Sequence, residues 1–424
     1  MAAQYDLVIR NGLIIDGTGG APYTGDVAIS AARIAAVGKV DGKGKREIDA
    51  RGQLVTPGFV DIHTHYDGQA IWSSRLNPSS AHGVTTVVVG NCGVGFAPCR
   101  PADHDLLIKV MEGVEDIPGA VMVEGLTWDW ETFPQFLDAL DSRPHDIDVA
   151  VYFPHSPLRV YVMGDRGARR EPATADDLVK MRALTKEAIK AGAIGFATSR
   201  VFAHKSSNGT AIPSYEVDYA ELEAIASGMT DAGSGTLQVV PEAPWEGWKK
   251  ELQPLVEIGR KTGRPITFTL GTGNQSGGIM AWQDALQVVD QANASGVSMK
   301  AQVLPRPIGL VMGLTLSAHP FCLCPSYLAI KDMPLDRRLA EMRKPEVRRR
   351  ILSEKPSSGH PLAMLARNFD WTFPVLDVPD YEPSLTTSVT ALAKARGVTP
   401  DDQAYDMVES FIRNNTAKLR VVAP

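Results

Sequence analysis

The chain has 424 residues, 44% of them hydrophobic, with 43 basic and 49 acidic side chains giving a net charge of −6. That length and hydrophobic content can bury a large core, which excludes disorder, and the scattered basic residues form no stripe of the kind that grips nucleic acid. No run of about 18 apolar residues occurs and Met1–Asp6 opens no basic, apolar leader, so neither a membrane span nor secretion is expected. The four cysteines are too few for a disulfide framework, and a reducing, cytoplasmic setting follows as an expectation.

Residues 5–55 read as short strands: Asp6–Arg10, a turn at Asn11-Gly12, Leu13–Ile15, Asp26–Ile29 and Arg33–Val37. They predict a small β-sandwich domain over residues 1–56. From Gly58 the pattern becomes buried apolar strands alternating with amphipathic helices, the sign of parallel βαβ units. Seven strands are expected, at Phe59–His63, Thr85–Gly90, Asp148–Pro154, Ala193–Ser199, Thr236–Val240, Pro265–Leu270 and Val297–Leu304. Thr174 and Asp177 form a capping box that opens a helix over 175–191, closed by Gly192. Further helices are expected over about 216–232, 279–294 and 337–352. No Gly-rich phosphate-binding turn follows the first strand, so the α/β pattern fits a TIM-type (β/α)8 barrel better than an open doubly wound sheet. The barrel occupies residues 57–424, with a helical insertion over about 305–405 and no legible eighth strand.

Two segments carry chemistry. The first strand ends in Asp61-Ile62-His63-Thr64-His65, and residues i and i+2 of a strand point the same way, so both imidazoles face the carboxyl end, where barrel active sites are assembled. Two neutral imidazoles at that spacing chelate a divalent metal. The second strand runs into Gly90-Asn91-Cys92-Gly93, which puts a thiol on the same rim, and thiolate is a good zinc ligand. His155 follows strand three, and Arg200 and His204 follow strand four. His155 is a candidate catalytic group; Arg200 and His204 are candidate substrate contacts, a guanidinium being able to hold a carboxylate through two parallel bonds. Cys99, Cys322 and Cys324 read as buried thiols. The basic cluster Lys344, Arg348, Arg349 and Arg350 reads as a solvated helix face.

The β-rich amino terminus, the stretch from Gly58 to Gln69 around the His-x-His pair, residues 83–98 around Asn91-Cys92-Gly93, and Glu124-Gly-Leu-Thr-Trp-Asp-Trp130 together resemble the N-acyl-D-amino-acid deacylase (D-aminoacylase) branch of the amidohydrolase superfamily. The resemblance runs from about residue 5 to 409. It implies a metal-dependent hydrolase of carbon–nitrogen bonds other than peptide bonds, with zinc, one or two ions, at His63, His65 and Cys92. The small-molecule amide substrate it implies is an N-acyl (D-)amino acid; no nucleic-acid or membrane partner is expected, and a homo-oligomer is compatible with it.

Three departures accompany the resemblance. Strands five and six of the family supply a histidine each, whereas here they read Leu237-Gln238-Val239-Val240 and Ile266-Thr267-Phe268-Thr269, leaving Glu242 as a substitute carboxylate. The metal-binding Asp of the family's last strand has no counterpart between residues 378–409 and Phe411–Leu419, which resembles the helix after it. The carboxyl-terminal strands of the family's β domain are likewise not matched. The general base is therefore unassigned, and two alternatives stand beside the deacylase: a cyclic-amide hydrolase of the hydantoinase type, for which no strand-four Lys is in place, and a catalytically impaired barrel serving as a binding subunit.

Overall fold

The computed structural model describes residues 3–242, 248–271, 282–304, 308–316, 318–355, 367–375, 380, 382–414 and 418–423. The amino-terminal strands are β1 (Tyr5–Ile14), β2 (Tyr23–Ser30), β3 (Arg33–Gly38), β4 (Gly44–Asp49) and β5 (Leu54–Val55). Among the described residues they form one sheet in the order β3-β2-β1-β4, with β5 also on β1, rather than two facing layers. The turn expected at Asn11-Gly12 is instead a bulge. Asn11 is left-handed at φ 60° and the register with β2 shifts between Ile9 and Gly12, yet β1 continues because Leu13 and Ile14 pair with β5. A Cβ at Gly12 would lie 2.3 Å from Val55, so glycine permits that close approach.

The seven expected βα strands are all present, as β6 (Phe59–Asp61), β7 (Val84–Val89), β8 (Asp148–Pro154), β9 (Gly195–Ser199), β10 (Thr236–Val240), β11 (Ile266–Thr269) and β12 (Met299–Gln302). All neighbours are parallel and the order is sequential, giving a curled, barrel-like sheet. Alternation along the strands separates its faces. Val87 and Val89 join the main core with Leu107, Met181 and Leu222 of the surrounding helices, whereas Val88 meets Tyr152 and Ala197 in a small cluster on the other face. Between β6 and β12 lies a cleft of about 740 Å³, lined by Phe59, Val60, His63, Gln302, Val303 and Leu304 among others.

The helix Ala175–Ala191 starts and stops as its sequence dictates: the Thr174 hydroxyl accepts from the Asp177 amide and the Asp177 carboxylate from the Thr174 amide. The next helix is Tyr219–Ala232, three residues shorter at its start than expected, because Asp218 is its N-cap and Glu216 is left-handed. The single helix expected over 337–352 is two, Leu335–Met342 and Pro345–Ser353, since Pro345 supplies no amide and fixes the first turn of a new helix.

The carboxyl-terminal region also holds three strands that periodicity did not reveal: β13 (Ile308–Met312), β14 (Thr372–Val375) and β15 (Lys418–Ala423), antiparallel with β15 central. The helix-like stretch 411–419 divides accordingly. Its first residues end the helix Pro400–Asn414, while Lys418 and Leu419 begin β15. Beside this sheet, Phe321, Met342, Ile351 and Tyr405 form a separate core. Among the described residues no helix is long and apolar enough to cross a membrane.

Candidate metal centre

The backbone around His63 and His65 leaves β6 but stays tied to β7. The Thr64 amide and hydroxyl both donate to the Val88 carbonyl, at 3.0 and 2.8 Å, and the Asn91 side-chain amide donates to the same oxygen at 2.8 Å. The Asn91-Cys92-Gly93 turn then folds back over the sheet. Gly90 has φ 81°, and a Cβ there would meet the Tyr152 carbonyl oxygen at 2.2 Å, so this position requires glycine. Cys92 itself is left-handed at φ 56°, a conformation disfavoured for a residue with a Cβ and one that concentrates at functional sites.

This strained turn brings the thiol to the histidines. His63 Nε2 and Cys92 Sγ are 3.3 Å apart, and donor atoms of His63, His65 and Cys92 all lie within 4.8 Å of one another. The soft thiol and two imidazoles form a donor set suited to zinc. Two groups nearby were not marked by sequence. Glu115, the last residue of the helix His104–Glu115, places Oε1 3.2 Å from His65 Nε2. Asp67 accepts from the Gly90 amide at 2.7 Å through Oδ1, while its Oδ2 stands 3.8 Å from His65 Nδ1. Both of those latter atoms are buried without a hydrogen-bond partner.

Burial dominates the electrostatics. It lowers His63, and it drives His65 well below the usual imidazole range with help from the neighbouring His63 and His204. Both rings are thereby held in the neutral form that ligates metal. Burial also raises the Cys92 thiol, assisted by Glu115 and Asp67, and lifts Asp67 to about 7 and Glu115 to about 8.

The remaining expected residues are distributed unequally. His204 approaches the centre: His63 acts on its ring, burial lowers it to about 4, and its Nδ1 has no partner. Its loop is seated on the helix His104–Glu115 at Gly113, where a Cβ would meet the Lys205 carbonyl oxygen at 2.2 Å. Gln302 of β12 lines the same cleft as His63, and its side-chain oxygen is buried without a partner. His155, by contrast, is fully buried beneath the Cys92 turn. Its Nε2–H donates to Glu221 at 2.7 Å and its Nδ1 accepts from the Thr198 hydroxyl at 2.8 Å, so neither nitrogen is available to a substrate. The catalytic role expected of His155 thus gives way to a structural one. Arg200 is also occupied, donating to Glu251 at 2.7 Å while its guanidinium stacks 4.3 Å over Tyr219. Glu242 accepts from the Phe202 amide and anchors that loop. Gln238, on the strand β10 that carries no histidine, is fully buried with neither side-chain polar atom paired.

A signal for Glu115 was absent from the sequence because an acidic residue at a helix end is commonplace; only the docking of that helix over the rim gives it meaning. Comparison with known proteins places the chain among hydrolases of related sequence. The chain is 34% identical over 199 residues to D-aminoacylase from Alcaligenes xylosoxydans xylosoxydans, covering 47% of this chain and 38% of that protein. It is 28% identical over 309 residues to N-acyl-D-glutamate deacylase from the same organism, covering 72% and 58%. The chain therefore spans less than two thirds of the length of these relatives. A crystal structure of D-aminoacylase superposes with a TM-score of 0.59 at 23% identity, covering 99% of this chain and 72% of the other. N-acyl-D-glutamate deacylase from Bordetella bronchiseptica, solved with zinc and a phosphonate inhibitor, gives 0.58 at 22%, with the same coverage. The amidohydrolase family model matches residues 46–401, a span that contains the curled sheet and every residue of the His63, His65 and Cys92 cluster, and the chain accordingly belongs to the amidohydrolase family.

Proposed function

We propose that this chain is a metal-dependent amidohydrolase that cleaves the amide C–N bond of a small molecule, an N-acyl D-amino acid being the favoured class. The observation that carries the reading is the convergence of His63, His65 and Cys92 within 4.8 Å. Their chemistry favours zinc as the resident ion. When bound, such an ion supplies Lewis acidity toward an amide carbonyl and toward water.

The chain's own residues divide the remaining work. His63 and His65 offer neutral nitrogens, and Cys92 must surrender its proton to serve as a ligand, so loading releases a proton. Asp67 Oδ2 faces His65 Nδ1 at 3.8 Å, beyond hydrogen-bond length. Arg200 and His204 lie after β9, the strand next to β8 and β10, and are the proposed contacts for the substrate's polar groups; Arg200 reaches a substrate carboxylate only by sharing itself with Glu251. The relatives named D-aminoacylase and N-acyl-D-glutamate deacylase support the substrate class. The amino-terminal sheet is proposed as a β domain distinct from the barrel, with its boundary near residue 56.

Metal analysis of the purified full chain and of His63→Ala and Cys92→Ala tests the centre, and a panel of N-acetyl D- and L-amino acids tests the substrate. The expected result is a stoichiometric divalent ion lost in both variants, with hydrolysis of D-substrates falling at least about 100-fold. Unchanged metal content in both variants refutes the centre. A fully loaded protein that hydrolyses none of the panel refutes the deacylase reading and leaves a metal-binding barrel.

A further inference from the structure

We propose that Gln302, with Thr269 beside it, is a specificity-determining residue that binds the amide N–H of the substrate from the inner wall of the curled sheet. The inference rests on the reading of the chain as an amidohydrolase, and it names the part of the sheet that recognises the amide. Strand alternation sets the geometry. Ile266 and Phe268 of β11 and Met299 of β12 enter the main core beneath the helices, so Thr269 and Gln302, of opposite parity, turn to the inner face. The ladder pairs these two residues directly, and both line the cleft that His63 also lines. Gln238 of β10 shares the face, since Leu237 and Val239 point to the main core.

The two halves of this inner face differ in how they are satisfied. On β7, β8 and β9, Val88, Tyr152 and Ala197 pack against one another, as barrel interiors generally do. On β10, β11 and β12 the side chains are polar and unpaired. Both polar atoms of Gln238, the Thr269 hydroxyl and the Gln302 carbonyl oxygen are buried without a hydrogen-bond partner, and Gln302 as a whole is 9% exposed. A buried polar atom without a partner lowers stability, and three such side chains on consecutive strands point to a ligand that completes them. A secondary amide fits: its N–H matches the Gln302 carbonyl oxygen, and the Thr269 hydroxyl can either donate or accept. Among the described residues, the rest of the cleft lining includes Val60, Ile62 and Leu304, which suit an acyl group, while Asp61 opposes a carboxylate. The substrate therefore enters with its acyl end in the cleft and its amide between β12 and the segment that carries His63.

The test compares N-acetyl-D-leucine with its ester counterpart, in which oxygen replaces the amide N–H. Binding is read by calorimetry on the full chain freed of metal with a chelator, so that no turnover intervenes. The parent is expected to bind the amide at least about fivefold more tightly than the ester, as one hydrogen bond to a buried acceptor allows. Gln302→Met, close in shape but without the acceptor, is expected to lose that preference, and Gln302→Glu, which keeps an acceptor oxygen, to retain it. Thermal melting separates this from a purely structural role. Gln302→Met removes an unpaired buried group and is expected to melt no lower than the parent; a lower melting temperature marks a residue that braces the sheet and overturns the assignment. A parent that binds both compounds equally, or neither, or a Gln302→Met variant that still prefers the amide, also overturns it. Hydrolysis of N-acetyl D-amino acids by the metal-loaded parent then shows that the amidohydrolase reading survives, and its absence as well overturns both.

Discussion

At the scale of single residues, the most consequential group outside the centre is Glu221, 2% exposed in the helix Tyr219–Ala232. Its carboxylate accepts from His155 Nε2 and from the Arg159 guanidinium, and Arg159 continues to the Glu171 carbonyl at 2.7 Å. Burial lowers His155, keeping the ring neutral, so the charged pair is Glu221 with Arg159 and the imidazole completes it as a neutral donor. Glu221→Ala leaves a buried guanidinium without its counter-charge, and urea denaturation is expected to show a loss of about 3–5 kcal/mol. Burial pushes the Glu221 carboxyl up, but the bonds from His155 and Arg159 outweigh it and hold the group below its ordinary value. The sign follows: its stabilisation is present above the unfolded carboxylate value of about 4.3 and is lost as pH falls through the lower folded value. Acid melts of the parent and of Glu221→Gln therefore converge toward low pH; parallel curves contradict the pairing. Because His155 also lies beneath Gly93, whose Cβ position is 3.2 Å from it, the same network supports the turn that carries Cys92.

At the scale of elements, local chemistry decides most boundaries. The Thr174 cap is half of a reciprocal box, and Asp177 also binds Arg166 at 3.0 Å. Thr174→Ala is expected to cost about 1 kcal/mol in thermal or chemical unfolding, and Thr174→Ser to cost much less; equal losses would mean that methyl packing, not the hydroxyl, matters. Such devices made the barrel legible: β8 and β10 have the limits read from their apolar runs, and the cap and Gly192 bound their helix as expected. The His-x-His and Asn-Cys-Gly segments were legible as donors close in sequence at the ends of neighbouring strands, although β6 ends at Asp61 and the two histidines lie in the segment after it rather than on the strand. What was not legible depends on distant partners. Asn11-Gly12 has hairpin chemistry, but β5 holds β1 straight through it. β13, β14 and β15 are short and pair across more than 40 residues of intervening chain, so no local period announces them. Glu115 joins the centre only through helix docking, and His155 leaves it only because Glu221 and Thr198 claim both nitrogens.

At the scale of the molecule, the outer strands of the curled sheet face one another without pairing among the described residues. There β6 and β12 each have one ladder neighbour, and the cleft between them is lined largely by apolar side chains. Phe59 is 60% exposed, Val60 55%, Ile62 45%, Val303 58% and Leu304 42%. Unpaired strand edges beside exposed apolar surface favour association with other chains, and large patches of this kind are uncommon on monomers. The chain studied by itself is therefore expected to bind a hydrophobic dye such as ANS and to shift to larger species on size exclusion as concentration rises. Phe59→Lys combined with Leu304→Lys places a charge on each side of the cleft, away from His65 and Cys92, and is expected to reduce both dye binding and association. Metal binding by the double variant serves as the check that the centre is still assembled. A parent chain that stays a compact, dye-free monomer at every concentration would show that the cleft closes in solution, and that β6 and β12 meet directly.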